Sequence, residues 1–156
     1  MPKRSAGLIM YRWTKDELEV FLVHPGGPLW AKKDRGAWTL PKGEYESDED
    51  PLVAAQREFH EETGFIASGT FVEIGSVRQK SGKVVMAWAF EGDCDPARLV
   101  SNTCTIEWPP RSGKRIEIPE VDRGQWYGLA EARTYIREEQ CQLLDTLVDQ
   151  LPIRRS

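Results

Sequence analysis

The sequence predicts a mixed α/β domain, with a mixed β-sheet sandwiched between helices. Three observations predict it. Segments rich in β-branched and aromatic residues fill positions 5–24 and 70–91 and recur after residue 100. One well-delimited helical stretch interrupts them between Asp50 and Gly64, and two helical segments close the chain. A sheet has two faces to bury, and helices both within and after the strand-rich segments supply two layers. With 156 residues, 40% hydrophobic and 29% charged, the composition is that of an ordinary globular chain with enough length for a full core. Residues 1–156 are therefore expected to form a single domain.

Taken in order, Ser5–Trp13 and Leu18–His24 read as strands joined through Thr14–Glu17. The second has apolar residues in both alternation phases, which suits a strand covered on both faces. Pro25–Ala37 follows as a long loop that mixes Trp30 with Lys32, Lys33 and Arg35. An aromatic face can stack on a base and cations can meet phosphate oxygens, so Trp30 and Arg35 are candidate substrate-binding residues. The plainer alternative is a solvated loop with one tucked Trp.

Thr70–Lys80 and Lys83–Glu91 form a predicted hairpin around Ser81-Gly82, with Val85, Ala87 and Ala89 alternating against Val84, Met86, Trp88 and Phe90 as in an interior strand. Trp88 belongs to the core. Arg78 is a further candidate for a phosphate contact, with Lys80 and Lys83 beside it. Beyond the irregular Gly92–Ser101, Asn102–Trp108 and Ile116–Ile118 are strand candidates about a turn at Pro109–Lys114. Gln125–Leu129 reads as a short last strand leading into a helix at Ala130–Ile136. The final helix, Glu138–Leu151, carries Leu144, Leu147, Val148 and Leu151 as one packing stripe.

Bulk properties narrow the function. A net charge of −4 argues against a general nucleic-acid binder, which would carry a basic excess. Cys94, Cys104 and Cys141 are odd in number and widely spaced, and His24 and His60 are the only histidines, so a zinc site is not expected. The N-terminal segment lacks a signal-peptide core and no segment reaches membrane-spanning length, which makes a reducing cytoplasm the expected location.

The informative stretch is Gly43–Phe65, GEYESDEDPLVAAQREFHEETGF. Asp50 is a good N-cap, Pro51 suits the first helical position, and Gly64 is a natural left-handed stop. At about 100° per residue, Glu61, Glu58 and Glu62 fall at roughly 180°, 240° and 280°, beside an apolar stripe of Leu52, Ala55 and Phe59. As structure alone this is unfavourable. Glu58 and Glu62 are a like-charge i,i+4 pair, and Glu61 and Glu62 sit at the negative end of the helix dipole. Arg57 supplies one positive charge, and a hard divalent cation is the natural source of the rest. All-oxygen ligation suits magnesium or manganese.

Gly43, Glu49, Arg57, Glu58, Glu61, Glu62 and Gly64, at these spacings, are identified as a complete Nudix box. A chance match has odds on the order of 10⁻⁶ given ordinary residue usage. The departures are mild: Phe59 and Phe65 stand where the family usually has aliphatic residues. EWPPRSG at 107–113 and PEVDR at 119–123 resemble a bacterial branch of the same family. The resemblance implies an α/β/α Nudix sandwich and hydrolysis of a nucleoside diphosphate linked to a further group. It implies that Glu58, Glu61 and Glu62 bind Mg²⁺ (or Mn²⁺) with a main-chain carbonyl near Gly43, and that Glu49 and Arg57 pair to orient the loop and helix.

The general base varies in the family. It is one of the helix glutamates or an acidic residue from a later loop, where Glu120 is the candidate outside the helix and Asp122 its nearby substitute. Lys42, directly before the box, places an ammonium near the bound phosphates. Pro-Lys-Gly at this point is similar to hydrolases of dinucleoside and diphosphoinositol polyphosphates. Dinucleoside polyphosphates therefore rank first, followed by nucleotide sugars or ADP-ribose and then modified nucleoside triphosphates. A small-molecule nucleotide or polyphosphate is the expected partner, with no nucleic acid and no membrane, and the family allows a homodimer. The competing class is a nucleotide-binding or sensor module on the same fold that cleaves nothing. The intact box disfavours it, and no cysteine sits in the context that a prenyl-diphosphate isomerase on this fold requires.

Overall fold

In the computed structural model, which describes residues 3–151, the two-phase apolar pattern of the first strands becomes a two-sided core. Strand β1 (Arg4–Thr14) and strand β2 (Glu17–Pro25) are antiparallel, joined by Lys15 and Asp16 at positive φ (53° and 66°), as a tight two-residue hairpin turn requires. Ala6, Leu8, Met10, Phe21 and Val23 point to one face of the sheet, where they meet Ala54, Ala55 and Phe59 of helix α1 (Pro51–Thr63). Ile9, Tyr11, Val20 and Leu22 point to the other face. There they meet Ala132 of α2 (Leu129–Tyr135) and Leu143, Leu144 and Leu147 of α3 (Cys141–Gln150).

Strands β3 (Lys42–Glu44), β4 (Val72–Arg78), β5 (Val84–Glu91) and β8 (Val121–Gly128) complete the sheet. Its order is β4-β5-β1-β2-β8, with β3 added beside β1; β1 and β5 run parallel and the other pairs antiparallel, so the sheet is mixed. The fold is thus the predicted mixed sheet between helices. Beyond Val20 the two first strands part, and residues 39–44 are wedged between them. Thr39 exchanges both backbone hydrogen bonds with Val23 (2.9 and 3.0 Å), Leu8 donates to the Pro41 carbonyl (3.1 Å), and Lys42 pairs with Gly7. This wedge delivers Lys42 and Gly43 to the end of the sheet that faces α1.

Three expectations are corrected. The last strand begins at Val121, four residues earlier than Gln125. Among the described residues it is an edge strand paired with β2 alone, so its polar first half (Asp122, Arg123) carries no apolar signal. Residues 138–140 form a 3₁₀ turn and α3 starts only at Cys141. The stripe of α3 uses Leu143, while Val148 is 40% exposed, because the sheet beneath is met by the 143/144/147 face. Strands β6 (Thr103–Glu107) and β7 (Arg115–Pro119) pair only with each other, as a hairpin separate from the main sheet. Its EWPPRSG turn has a local cause: the Glu107 carboxylate accepts from the backbone N–H groups of Arg111 (3.0 Å) and Gly113 (3.1 Å), both at positive φ.

Candidate functional site

Helix α1 is terminated as its sequence dictates. The Asp50 carboxylate accepts from the Val53 N–H at 3.0 Å, and Gly64, at φ 79°, donates to the His60 carbonyl at 2.8 Å. Its carboxylate stripe is buried together with the apolar one. Glu58 and Glu62 are each only 8% exposed, while Leu52 is half-buried. Glu58 lies over Gly43, where an added Cβ would overlap its carboxyl group. Glu62 is reached by the Lys42 backbone N–H and by the Lys42 ammonium charge.

A third carboxylate arrives from across the chain. Two of the orphan carbonyls at the helix C-terminus are taken by the next loop: Val100 donates to Thr63 (2.9 Å) and Asn102 to Glu61 (2.7 Å). Asn102 in turn accepts from the Glu120 N–H (3.0 Å), and the Glu120 carbonyl accepts from Gly26 (3.0 Å). Gly26 packs against Pro119 so closely that a Cβ there would strike the Pro119 carbonyl. These ties bring Glu120 over the helix. One carboxylate oxygen from each of Glu58, Glu62 and Glu120 falls within 4.8 Å of the others.

The electrostatics follow from that crowding. Burial, then Glu61 and Glu120, pushes the Glu58 carboxyl up to about 7. Burial, then Glu120 and Glu58, pushes Glu62 up to about 8 despite Lys42. Glu120 is also raised, by burial and by Glu61. Lys42 is lowered, first by burial and then by Lys83 and Arg137, with Glu62 pulling the other way. Oxygen donors whose ionisation is disfavoured by burial and by one another are a fitting site for a hard divalent cation, whose charge would favour their ionised forms. The Gly43 cradle fits as well, because it leaves room for a carboxylate where any side chain would intrude.

The remaining predicted residues fall as follows. Arg57 donates to Glu49 at 3.1 Å and approaches Glu58 at 3.3 Å and Glu61 at 3.9 Å, so one guanidinium serves three carboxylates. Glu61 is outside the group of three, at the half-exposed edge of the helix. Lys42 and Trp30 line a cleft of about 290 Å³ with Glu62 and Glu120. Arg35 and Arg78 do not line it. Both are exposed, Arg35 in the turns that follow Trp30 and Arg78 at the end of β4 opposite Val84. The hairpin cation whose charge reaches Lys42 is Lys83 instead. A second hollow of about 260 Å³, bordered by Asp34, Arg123 and Glu131, contains none of the site carboxylates.

Sequence reasoning missed two features. Arg137 lines the cleft, with its guanidinium carbon 5.6 Å from the Trp30 ring centroid, yet it belongs to no motif and stands at a break between helices. His24 is fully buried, with Nδ1 2.9 Å from an Asp122 carboxylate oxygen and Nε2 2.6 Å from the Lys33 carbonyl. It thereby ties the Trp30 loop to β8. The one available signal was a histidine at the end of an otherwise apolar strand.

Comparison with known proteins bears on the family and the fold. The model of the NUDIX domain family matches residues 1–147. Nudix hydrolase 25 of Arabidopsis thaliana is 28% identical over 102 residues, which are 65% of this chain and 42% of that protein, so the match spans less than half of the relative's length. Among solved structures, the NUDIX domain of Shewanella oneidensis NrtR complexed with ADP ribose superposes with a TM-score of 0.68 at 16% identity, covering 97% of this chain and 90% of that one. A C. elegans Ap4A hydrolase binary complex superposes with a TM-score of 0.66 at 22% identity, covering 93% and 96%. At such identities the structural matches speak for the fold.

Proposed function

Because the chain belongs to the Nudix family, we propose that it is a divalent-metal-dependent pyrophosphohydrolase acting on a nucleoside diphosphate linked to a further group. The observation that carries this reading is the convergence of Glu58, Glu62 and Glu120 within 4.8 Å beside a cleft that also holds Lys42. Carboxylates alone would repel a polyphosphate. When bound, a magnesium ion would screen that charge and polarise the phosphorus toward attack by water.

The protein's own groups do the rest. Glu58 and Glu62 would hold the cation, with the Gly43 carbonyl and, from the helix edge, Glu61. Arg57, anchored on Glu49, keeps Glu58 and Glu61 oriented. Glu120 comes from a different element and lines the cleft beside Glu62, so it would accept the proton of the attacking water. Lys42 meets the charge that develops on the leaving phosphate. Water adds to one phosphorus, the bridging P–O bond breaks, and two phosphorylated products leave.

Among substrates, dinucleoside polyphosphates rank first, on Lys42 and the Trp30 wall, then nucleotide sugars or ADP-ribose, then modified nucleoside triphosphates. The test is a magnesium-supported screen of these three classes, comparing specificity constants, with Glu62→Gln as the control. Turnover in the wild type that collapses in Glu62→Gln supports the reading. Tight nucleotide binding with no cleavage of any substrate would replace it with the sensor module.

A further inference from the structure

Arg137 is held in place by an unusual amount of buried polar structure. Its backbone N–H donates to the Trp38 carbonyl at 2.8 Å, and the 3₁₀ turn that follows ends in Gln140, which is fully buried. The Gln140 amide donates to Thr39 Oγ1 (2.9 Å) and to Gln79 Oε1 (3.3 Å), and its oxygen accepts from the Leu40 N–H at 3.2 Å. A buried primary amide is tolerated only when it is hydrogen-bonded. Here the bonds fix the Arg137 turn against the very segment, Thr39–Lys42, that carries Lys42 into the cleft.

The side chain forms a long ion pair with Glu139, at 3.6 Å, and its guanidinium lies at cation–π distance from Trp30. Lys33 adds a second cation over the same ring, at 4.9 Å. Arg137 lines the cleft together with Lys42, Glu62 and Glu120, and its charge, like that of Lys83, acts on the buried Lys42 ammonium at a repulsive cost. A wall that gathers cations next to an aromatic ring suits an extended anion that ends in a ring.

We propose that Arg137 is a specificity-determining substrate-binding residue, which grips the phosphate next beyond Lys42 in a nucleoside polyphosphate whose base end lies along Trp30. The bidentate guanidinium fork matches a phosphate in a way that an ammonium does not. This rests on the hydrolase reading of the site and adds to it the side chain that would hold the second phosphate of the nucleoside diphosphate.

The test is calorimetric titration, in magnesium buffer, of AMP and of α,β-methylene-ADP, whose P–C–P bridge resists hydrolysis. Wild type, Arg137→Ala and Arg137→Lys are compared, with thermal melting to establish that each is folded. Loss of charged hydrogen bonds should weaken methylene-ADP binding by about tenfold or more in Arg137→Ala, with AMP changed by less than about threefold and Arg137→Lys in between. On a hydrolysed substrate the same variant should raise KM by a similar factor with kcat nearly unchanged. Unchanged methylene-ADP affinity in a folded Arg137→Ala, or an equal loss for AMP, overturns the proposal. If the wild type hydrolyses nothing but methylene-ADP binding depends on Arg137, the hydrolase reading fails and this one stands.

Discussion

The carboxyl group of Glu58 occupies the space that a side chain at Gly43 would fill. The first glycine of the box is therefore there for room, and no positive φ is involved. Gly43→Ala should displace Glu58 by about the width of a methyl group while leaving the β3–β1 pairing intact. A misplacement on that scale costs on the order of a hundredfold in rate. The check is kcat/KM alongside the melting temperature: a large loss of activity in a protein of near-normal stability is expected, and normal activity would show that Glu58 need not sit where it does.

How legible this was depended on how local the cause was. Asp50, Pro51 and Gly64 act within one helix, so its limits are readable from the sequence. The two-phase apolar pattern of β2 predicted burial on both faces, which Val20 and Leu22 on one side and Phe21 and Val23 on the other display. The edge strand β8 was half hidden, because a strand with one neighbour and an exposed face can be polar. Arg137 was not legible at all, and His24 only as a histidine ending a largely apolar strand. Their positions near the cleft come from contacts with Trp38 and Asp122, which no spacing rule encodes.

Glu62 and Glu120 share the cleft but reach it from different elements, and their roles separate by substitution. If Glu62 holds the cation and Glu120 takes the proton, Glu62→Gln should raise the magnesium concentration needed for half-maximal rate. Glu120→Gln should lower kcat by about 10²–10⁴ with a much smaller change in magnesium dependence. Magnesium titrations of both variants decide it. A Glu120→Gln enzyme of near-normal kcat would remove Glu120 as the base.

Buried carboxylates also make the metal-free protein sensitive to alkali. Glu58 and Glu62 titrate at about 7 and about 8 in the folded chain, against an ordinary 4.5. Their folded pKa values are raised, so between those limits the native state binds more protons than the unfolded state. The stability they permit is full below about pH 4.5 and is lost as pH rises through 7 to 8. With chelator present, the melting temperature should therefore fall from pH 5 to pH 9. Excess magnesium, which binds the ionised form, should restore it most at the alkaline end. A melting temperature that is flat with pH in chelator would show that these groups are ionised without the metal.

The Trp30 wall depends on His24 as much as on its own loop. The ring lies between two acceptors, the Asp122 carboxylate and the Lys33 carbonyl, and it is fully buried against Trp38, 5.2 Å centroid to centroid. His24→Phe would keep the packing and strip both partners of their bond. The Lys33 carbonyl then lacks a protein donor, at a cost of about 1–3 kcal/mol, while the partly exposed Asp122 recovers some hydration. Lys33, and Trp30 before it, should also lose their fixed position, so KM should rise by a larger factor than kcat falls. Denaturant unfolding and steady-state kinetics on His24→Phe check both parts, with His24→Gln, which retains a donor, expected to recover part of each. Unfolding free energy and KM both at wild-type values in His24→Phe would show that the loop is held by its own turns, from Gly27 to Ala37, without the histidine.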